Sequence, residues 1–265
     1  ASRPPFRRPA SPRVLPAMGM LELPPAAQAL KGRAEKMKVS PKHFVLGNPM
    51  EGPWPEGMKS LVFANGCFWG SEKGIWRLPG GGIFTSAVGY VNGYTPNPKY
   101  EEVCGGLTGA TEAVQVVYDP SKIGLVDLLR WFWEAHDPTC GMGQGNDRGT
   151  QYRSGLYFEG EEERQLCEAS KAAYEKALQA ARKGRGKAVT TEVVALADCL
   201  GPFYYAEDYH QQYLAKPGAR PYCSAQPQEV SLPPYAEWVP ADWSAEQKAR
   251  HEPKLPEEFW RLHGP

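Results

Sequence analysis

Between residues 60 and 200 the apolar pattern switches repeatedly between the two-residue period of strands and the 3.6-residue stripe of helices, so the chain is neither all-helical nor all-β. Residues 61–64, 83–90, 111–118, 155–158 and 190–197 read as strands. Residues 125–135, with Leu125, Leu128, Leu129 and Phe132 on one stripe, read as a helix, and 161–183 is an alanine-rich helix that Gly184 can stop. The spacings lack the regular βαβ rhythm of a doubly wound sheet. The expected fold is therefore α+β: a two-layer sandwich of a mixed sheet with packed helices, extended by long N- and C-terminal tails.

Composition divides the chain into an N-terminal extension (1–50), a catalytic domain (51–225) and a C-terminal extension (226–265). The first is rich in Pro and Arg, with Arg3, Arg7, Arg8 and Arg13 and no acidic residue before Glu22. It lacks the apolar core of a secretory signal, and the chain starts at Ala1 rather than Met. That favours a processed organelle targeting segment, the plastid first and the cytoplasm as the alternative. The C-terminal extension carries six prolines between Pro227 and Pro256, too many for one continuous helix, and Trp238, Trp243 and Trp260 argue that it wraps over the domain. A formal net charge of +0 speaks against nucleic acid as a partner, and no apolar stretch has the ~20 residues of a membrane helix. The six cysteines (67, 104, 140, 167, 199 and 223) form no CxxC or zinc-type cluster, which fits a reducing or redox-active compartment.

One of these cysteines stands where the chain turns from extended to helical: residues 61–64 lead into Gly66-Cys67-Phe68-Trp69-Gly70. Unpaired N–H groups and the positive dipole end at a helix start stabilise an anion, so the thiol pKa is expected to fall toward thiolate. Phe68 and Trp69 could cage an apolar substrate group. From local features alone, Cys67 is either a nucleophile or a small core residue.

Alternation on the third strand puts Glu112 on one face with Val114, Val116 and Tyr118, opposite Thr111 and Gln115. If the valine face is the core, Glu112 is desolvated and its pKa rises, which suits a general acid. Two glycine-rich loops, 93–109 with Tyr94, Tyr100 and Cys104, and 137–151 with Cys140 and Asp147, leading to Tyr152, are long enough to be functional. A tyrosine hydroxyl can donate to an oxygen bearing partial negative charge.

Five segments in order carry a family resemblance: GCFWG at 66–70, GYTPNPKYEEVCGGLTGATEAV at 93–114, FWEAHDPT at 132–139, QGNDRGTQYRS at 144–154 and FYYAEDYHQQYL at 203–214. The chain resembles the A-class peptide methionine sulfoxide reductases, over about residues 42–223. The resemblance implies that Cys67 attacks the sulfoxide sulfur, Phe68 and Trp69 line a pocket for the S-methyl group, and Glu112 protonates the departing oxygen. It implies that Tyr100 and Tyr152 hydrogen-bond that oxygen and that Asp147 orients substrate or a water. Cys67 would become a sulfenic acid, Cys223 would resolve it as a disulfide, and thioredoxin would regenerate both thiols. The implied substrate is the S epimer of methionine sulfoxide, free or in oxidised proteins. No metal or bound organic cofactor is required, and a monomer is expected.

The chain departs from the family pattern after Cys223, where a glycine-rich run and a further recycling cysteine are missing, so a one-disulfide relay is implied. Cys140 stands where relatives often carry glutamine and competes as resolver. Cys223 is preferred, since opening a tail costs less than distorting a loop that holds substrate. Cys104, Cys167 and Cys199 are expected to be structural or incidental. Rival readings are a cysteine hydrolase pairing Cys67 with His136 or His210, a thiol peroxidase, and a binding module in which GCFWG is purely structural.

Overall fold

A computed structural model of the protein describes residues 21–181 and 187–263. The start of the N-terminal extension, with the arginines on which organelle targeting rests, and Gly184, the expected helix stop, lie outside the described residues. From residue 59 the chain runs β1 (Lys59–Asn65), α1 (Phe68–Trp76), β2 (Ile83–Val91), α2 (Tyr100–Cys104), β3 (Thr111–Tyr118) and α3 (Leu125–Glu134). It continues through a small hairpin, β4 (Gly143–Gln144) and β5 (Asp147–Arg148), to β6 (Ser154–Phe158), α4 (Glu161–Ala181), β7 (Glu192–Ala195) and β8 (Tyr204–Tyr205). The six-stranded sheet has the order β7-β6-β1-β3-β2-β8. Only β6 and β7 run parallel, joined across α4, so the sheet is mixed and the fold α+β.

The main core lies on one face of this sheet. Leu61 and Phe63, Val88 and Tyr90, Val114 and Val116, and Leu156 and Phe158 project there and meet apolar residues of α1, α3 and α4. Trp133 of α3 stacks on Tyr174 of α4 (5.6 Å between centroids) and its Nε1–H donates to Ser170 Oγ (2.9 Å), so the largest side chain between the helices buries its polar edge without penalty. The opposite face is also covered: Val62, Ala64, Val91, Ala113 and Tyr157 are buried under Val194, Leu196, Cys199 and Phe203. Thr111, expected on a polar face, is accordingly enclosed and donates its hydroxyl to the carbonyl of Gln151 (2.9 Å).

Both ends of the described chain are built into this body. His43 and Met50 are buried and Arg33 is bonded into the 93–109 loop, so the compositional boundary at residue 50 is not a packing boundary. At the other end Leu232, Trp238, Trp243, Leu255 and Trp260 join the main core, with α5 (Ala245–Arg250) and α6 (Glu257–His263) formed between prolines. Two carboxylates of α3 hold this segment: Glu134 accepts the N–H of Leu232 (2.9 Å), and Asp127 accepts those of Lys254 and Leu255 (2.8 and 3.2 Å) while also capping its own helix through Gly124.

Candidate active site

β1 ends at Asn65, and Gly66 (φ +99°) reverses the chain into α1 with Cys67 as the residue before its first turn. Glycine is required there twice over: the backbone is left-handed, and a Cβ would lie 2.8 Å from the side chain of Gln144 in β4. The 137–151 loop thus closes over the turn that carries the thiol. Antiparallel pairing of β1 with β3 brings Glu112 beneath the start of α1, where its Oε2 accepts the N–H of Phe68 (3.0 Å). Glu112 is 2% exposed. Burial raises its pKa to about 8, against the lowering by that N–H and with a further rise from Asp147, so the carboxyl is mostly protonated at neutral pH.

The expected depression of the Cys67 pKa is not found. Burial pushes the thiol well above its ordinary value and the Glu112 carboxylate adds to the rise, while the backbone N–H groups of Trp69 and Gly70 pull it down by less. A helix start favours an anion only as far as its N–H groups outweigh the desolvation of a buried group, and here they do not. With Glu112 protonated its Coulomb contribution vanishes, leaving desolvation and the Asp147 charge against two N–H donors. The resting pair therefore holds two protons, one on each group.

Tyr100, Tyr152 and Asp147 converge on the same spot. The Tyr100 and Tyr152 phenols are raised first by burial and next by Glu112, and Asp147 bears on Cys67, Glu112 and Tyr152. Asp147 accepts the Tyr222 hydroxyl at Oδ1 (2.5 Å), while its buried Oδ2 has no partner among the described residues. Phe68 is 1% exposed and belongs to the core, so of the two rings beside Cys67 only Trp69 offers substantial surface. Trp69 stacks on Tyr213 (4.0 Å) and donates its Nε1–H to His210 Nδ1 (3.0 Å).

Cys223 is exposed, and its Sγ packs against Gly70, where an added Cβ would sit 2.8 Å from it. The tail thiol thus meets the first turn of the helix that starts at Cys67. It borders a cavity of about 240 Å3 shared with Gly70, Ser71, Trp131 and Trp260. Cys140 interacts with Asp137, Arg148 and the Gly145 N–H.

Neither histidine of the hydrolase reading serves Cys67. His136 is held by the Phe132 carbonyl and Ser154 Oγ (2.8 Å each), His210 Nδ1 accepts from Trp69, and among the described residues no hydrogen bond joins either ring to the Cys67 thiol. Of the two expectations for Cys104, structural or incidental, the structural one fits: its sulfur is hydrogen-bonded to the Tyr100 hydroxyl and accepts from Gln151 Nε2 (3.5 Å). His210, Tyr213 and Tyr222 were missed as parts of this wall because only tertiary contacts bring them to Trp69 and Asp147.

The chain that builds this buried acid and helix-start thiol matches, over residues 59–236, a family model described as peptide methionine sulfoxide reductase. The chain belongs to that family. It is 53% identical over 214 residues to peptide methionine sulfoxide reductase MsrA of Azorhizobium caulinodans, covering 80% of this chain and 93% of the relative. It is 51% identical over 206 residues to peptide methionine sulfoxide reductase MsrA 1 of a Synechocystis species, covering 78% and 88%. Methionine sulfoxide reductase A of Corynebacterium diphtheriae has a similar structure, with a TM-score of 0.66 at 41% identity over 76% of this chain and 93% of that one. As a peptide methionine sulfoxide reductase the protein is an oxidoreductase that uses thiols to return methionine sulfoxide to methionine, and the binding-module reading is set aside.

Proposed function

We propose that this reductase acts on the S epimer of methionine sulfoxide through a Cys67 sulfenic acid and a single Cys67–Cys223 disulfide, with a thioredoxin dithiol as reductant. Glu112 gives its proton to the sulfoxide oxygen, which makes the sulfur electrophilic, and the Cys67 sulfur attacks it. Tyr100 and Tyr152 donate to that oxygen, Trp69 flanks the methyl group with the buried Phe68 ring packed behind, and Asp147 Oδ2 accepts an N–H of the substrate. Methionine leaves, oxygen ends on Cys67 as a sulfenic acid, and the Cys67 proton restores Glu112. The Cys223 thiol then displaces water from that sulfenic acid to form the disulfide. Exchange with an external dithiol returns both thiols.

The observation that carries this reading is a carboxyl held protonated near neutral pH while bonded to the N–H next to the nucleophile. Contact of Cys223 Sγ with the same helix turn supports it as resolver over Cys140, and its exposure supports a protein reductant. One equivalent of methionine S-sulfoxide should consume two thiols of the reduced enzyme, release one methionine and leave Cys67 joined to Cys223 in a peptide map. A Cys67–Cys140 link overturns the relay, and equal turnover of the R epimer overturns the stereochemistry. Plastid delivery is part of the same reading, supported only by the basic, acid-poor first residues, and a fluorescent protein carrying residues 1–50 that stays in the cytoplasm refutes it.

A further inference from the structure

A segment that precedes the 59–236 family match is bonded to the loop that carries Tyr100. Residues 30–34 run alongside the loop that carries α2: Leu30 N–H donates to the Leu107 carbonyl (3.1 Å), Thr95 Oγ1 to the Leu30 carbonyl (2.9 Å) and Arg33 N–H to the Pro96 carbonyl (3.0 Å). The strands of chain touch so closely that Gly32 (φ +64°) has no room for a side chain, since a Cβ would lie 2.3 Å from the Pro96 oxygen. This close approach delivers the guanidinium of Arg33 as a fork. Both its terminal nitrogens meet Glu102 (2.9 and 2.6 Å), and one also meets the carbonyl of Asn97 (2.6 Å). Asn97, in the left-handed region (φ +45°), donates its amide back to the Arg33 carbonyl (2.9 Å).

Glu102 is the residue that closes the start of α2. Its Oε2 accepts the N–H of Lys99 (2.8 Å), the residue before Tyr100, and Tyr100 N–H goes to Glu207 (2.9 Å). The first turn of α2 is thus tied at two adjacent amides, and Arg33 holds one of the two carboxylates. We propose that Arg33 is a positioning residue for Tyr100: the fork to Glu102 and Asn97 fixes the α2 start so that the phenol points at the sulfoxide oxygen. This inference rests on the reading of Tyr100 as a donor to that oxygen. The pair is part-exposed, with side chains 29% and 27% accessible, so it adds little to global stability and acts through geometry. A fork is required, because a lysine ammonium supplies charge but cannot bridge both oxygens and the carbonyl in one plane.

A double-mutant cycle on the full chain tests it, with methionine release in a single turnover as the readout and thermal melting as a control. Arg33→Ala should slow release about tenfold, as small misplacements of positioned groups do, with substrate affinity and melting temperature nearly unchanged. Arg33→Lys should recover only part of the rate. In a Tyr100→Phe background, which is itself slow, Arg33→Ala should cost nothing further. Equal losses in both backgrounds, or a wild-type rate for Arg33→Ala, overturn the inference while leaving the role of Tyr100 standing. A wild-type rate for Tyr100→Phe overturns the reading on which it rests, and the inference with it.

Discussion

Replacing Glu112 by Gln should slow the enzyme and stabilise it at the same time. The carboxyl is fully enclosed, with its pKa raised from 4.5 to about 8, chiefly by burial. Between those two values the folded state holds a proton that the unfolded chain has released, so stability falls as pH rises from 4.5 through 8 and is fully restored below 4.5. At 1.36 kcal/mol per pH unit the accumulated penalty above pH 8 is about 5 kcal/mol, an order-of-magnitude ceiling. Glutamine keeps the shape and a hydrogen-bonding carbonyl for the Phe68 N–H but never ionises. Denaturant titrations of the reduced protein at pH 6 and pH 9 should show the variant gaining up to about 3 kcal/mol on the wild type, the two pH units from 6 to 8 at ~1.36 kcal/mol each. Glu72, raised to about 7 by burial, has the same sign, but it is present in both proteins and cancels in the comparison. Methionine release in a single turnover should fall roughly 10²- to 10⁴-fold in the variant, the usual worth of a positioned proton donor. In the wild type it should decline tenfold per pH unit above about 8, because only protonated Glu112 donates. Identical pH slopes of stability in the two proteins, or a wild-type rate that climbs through pH 9, would refute the assignment of a buried, protonated acid.

Two further perturbations probe the thiols. In the reduced, substrate-free enzyme Cys67 should be alkylated by iodoacetamide more slowly than a free cysteine at pH 8, since burial and Glu112 raise its pKa; fast alkylation with a midpoint below pH 8 contradicts that direction. Gly70→Ala puts a methyl group where the Cys223 Sγ now rests, at 2.8 Å, while removing a glycine from a helix, worth up to ~1 kcal/mol of stability. The variant should therefore fold as well as the wild type and release methionine normally, yet form the Cys67–Cys223 disulfide more slowly. Unchanged disulfide kinetics by thiol counting would show that Cys223 approaches by another route.

Much of the catalytic centre could be read from local pattern. The alternation of residues 111–118 located β3 to the residue and put Glu112 on the buried face, because a strand facing a helical layer must present its apolar set inward. The apolar run ending in Gly66-Cys67 likewise marked a strand giving way to a helix. Short or non-local features left no such trace. β8 is two residues long and α2 a single helical turn inside a loop, both below the length at which periodicity can show. The His210 contact with Trp69 spans 141 residues, and the Arg33 fork to Glu102 spans 69.

Local pattern alone carries the sheet-and-helix alternation, the thiol at a helix start and the acid on a valine face, because backbone periodicity and turn chemistry act between near neighbours. The proton inventory of the site comes instead from the packing of distant segments. The helix start alone predicted a thiolate at Cys67, yet β3, the 137–151 loop and the tail around Cys223 and Tyr222 enclose it beside a second acid. Desolvation depends on everything that excludes water, so its sign and size emerge only once distant segments have packed.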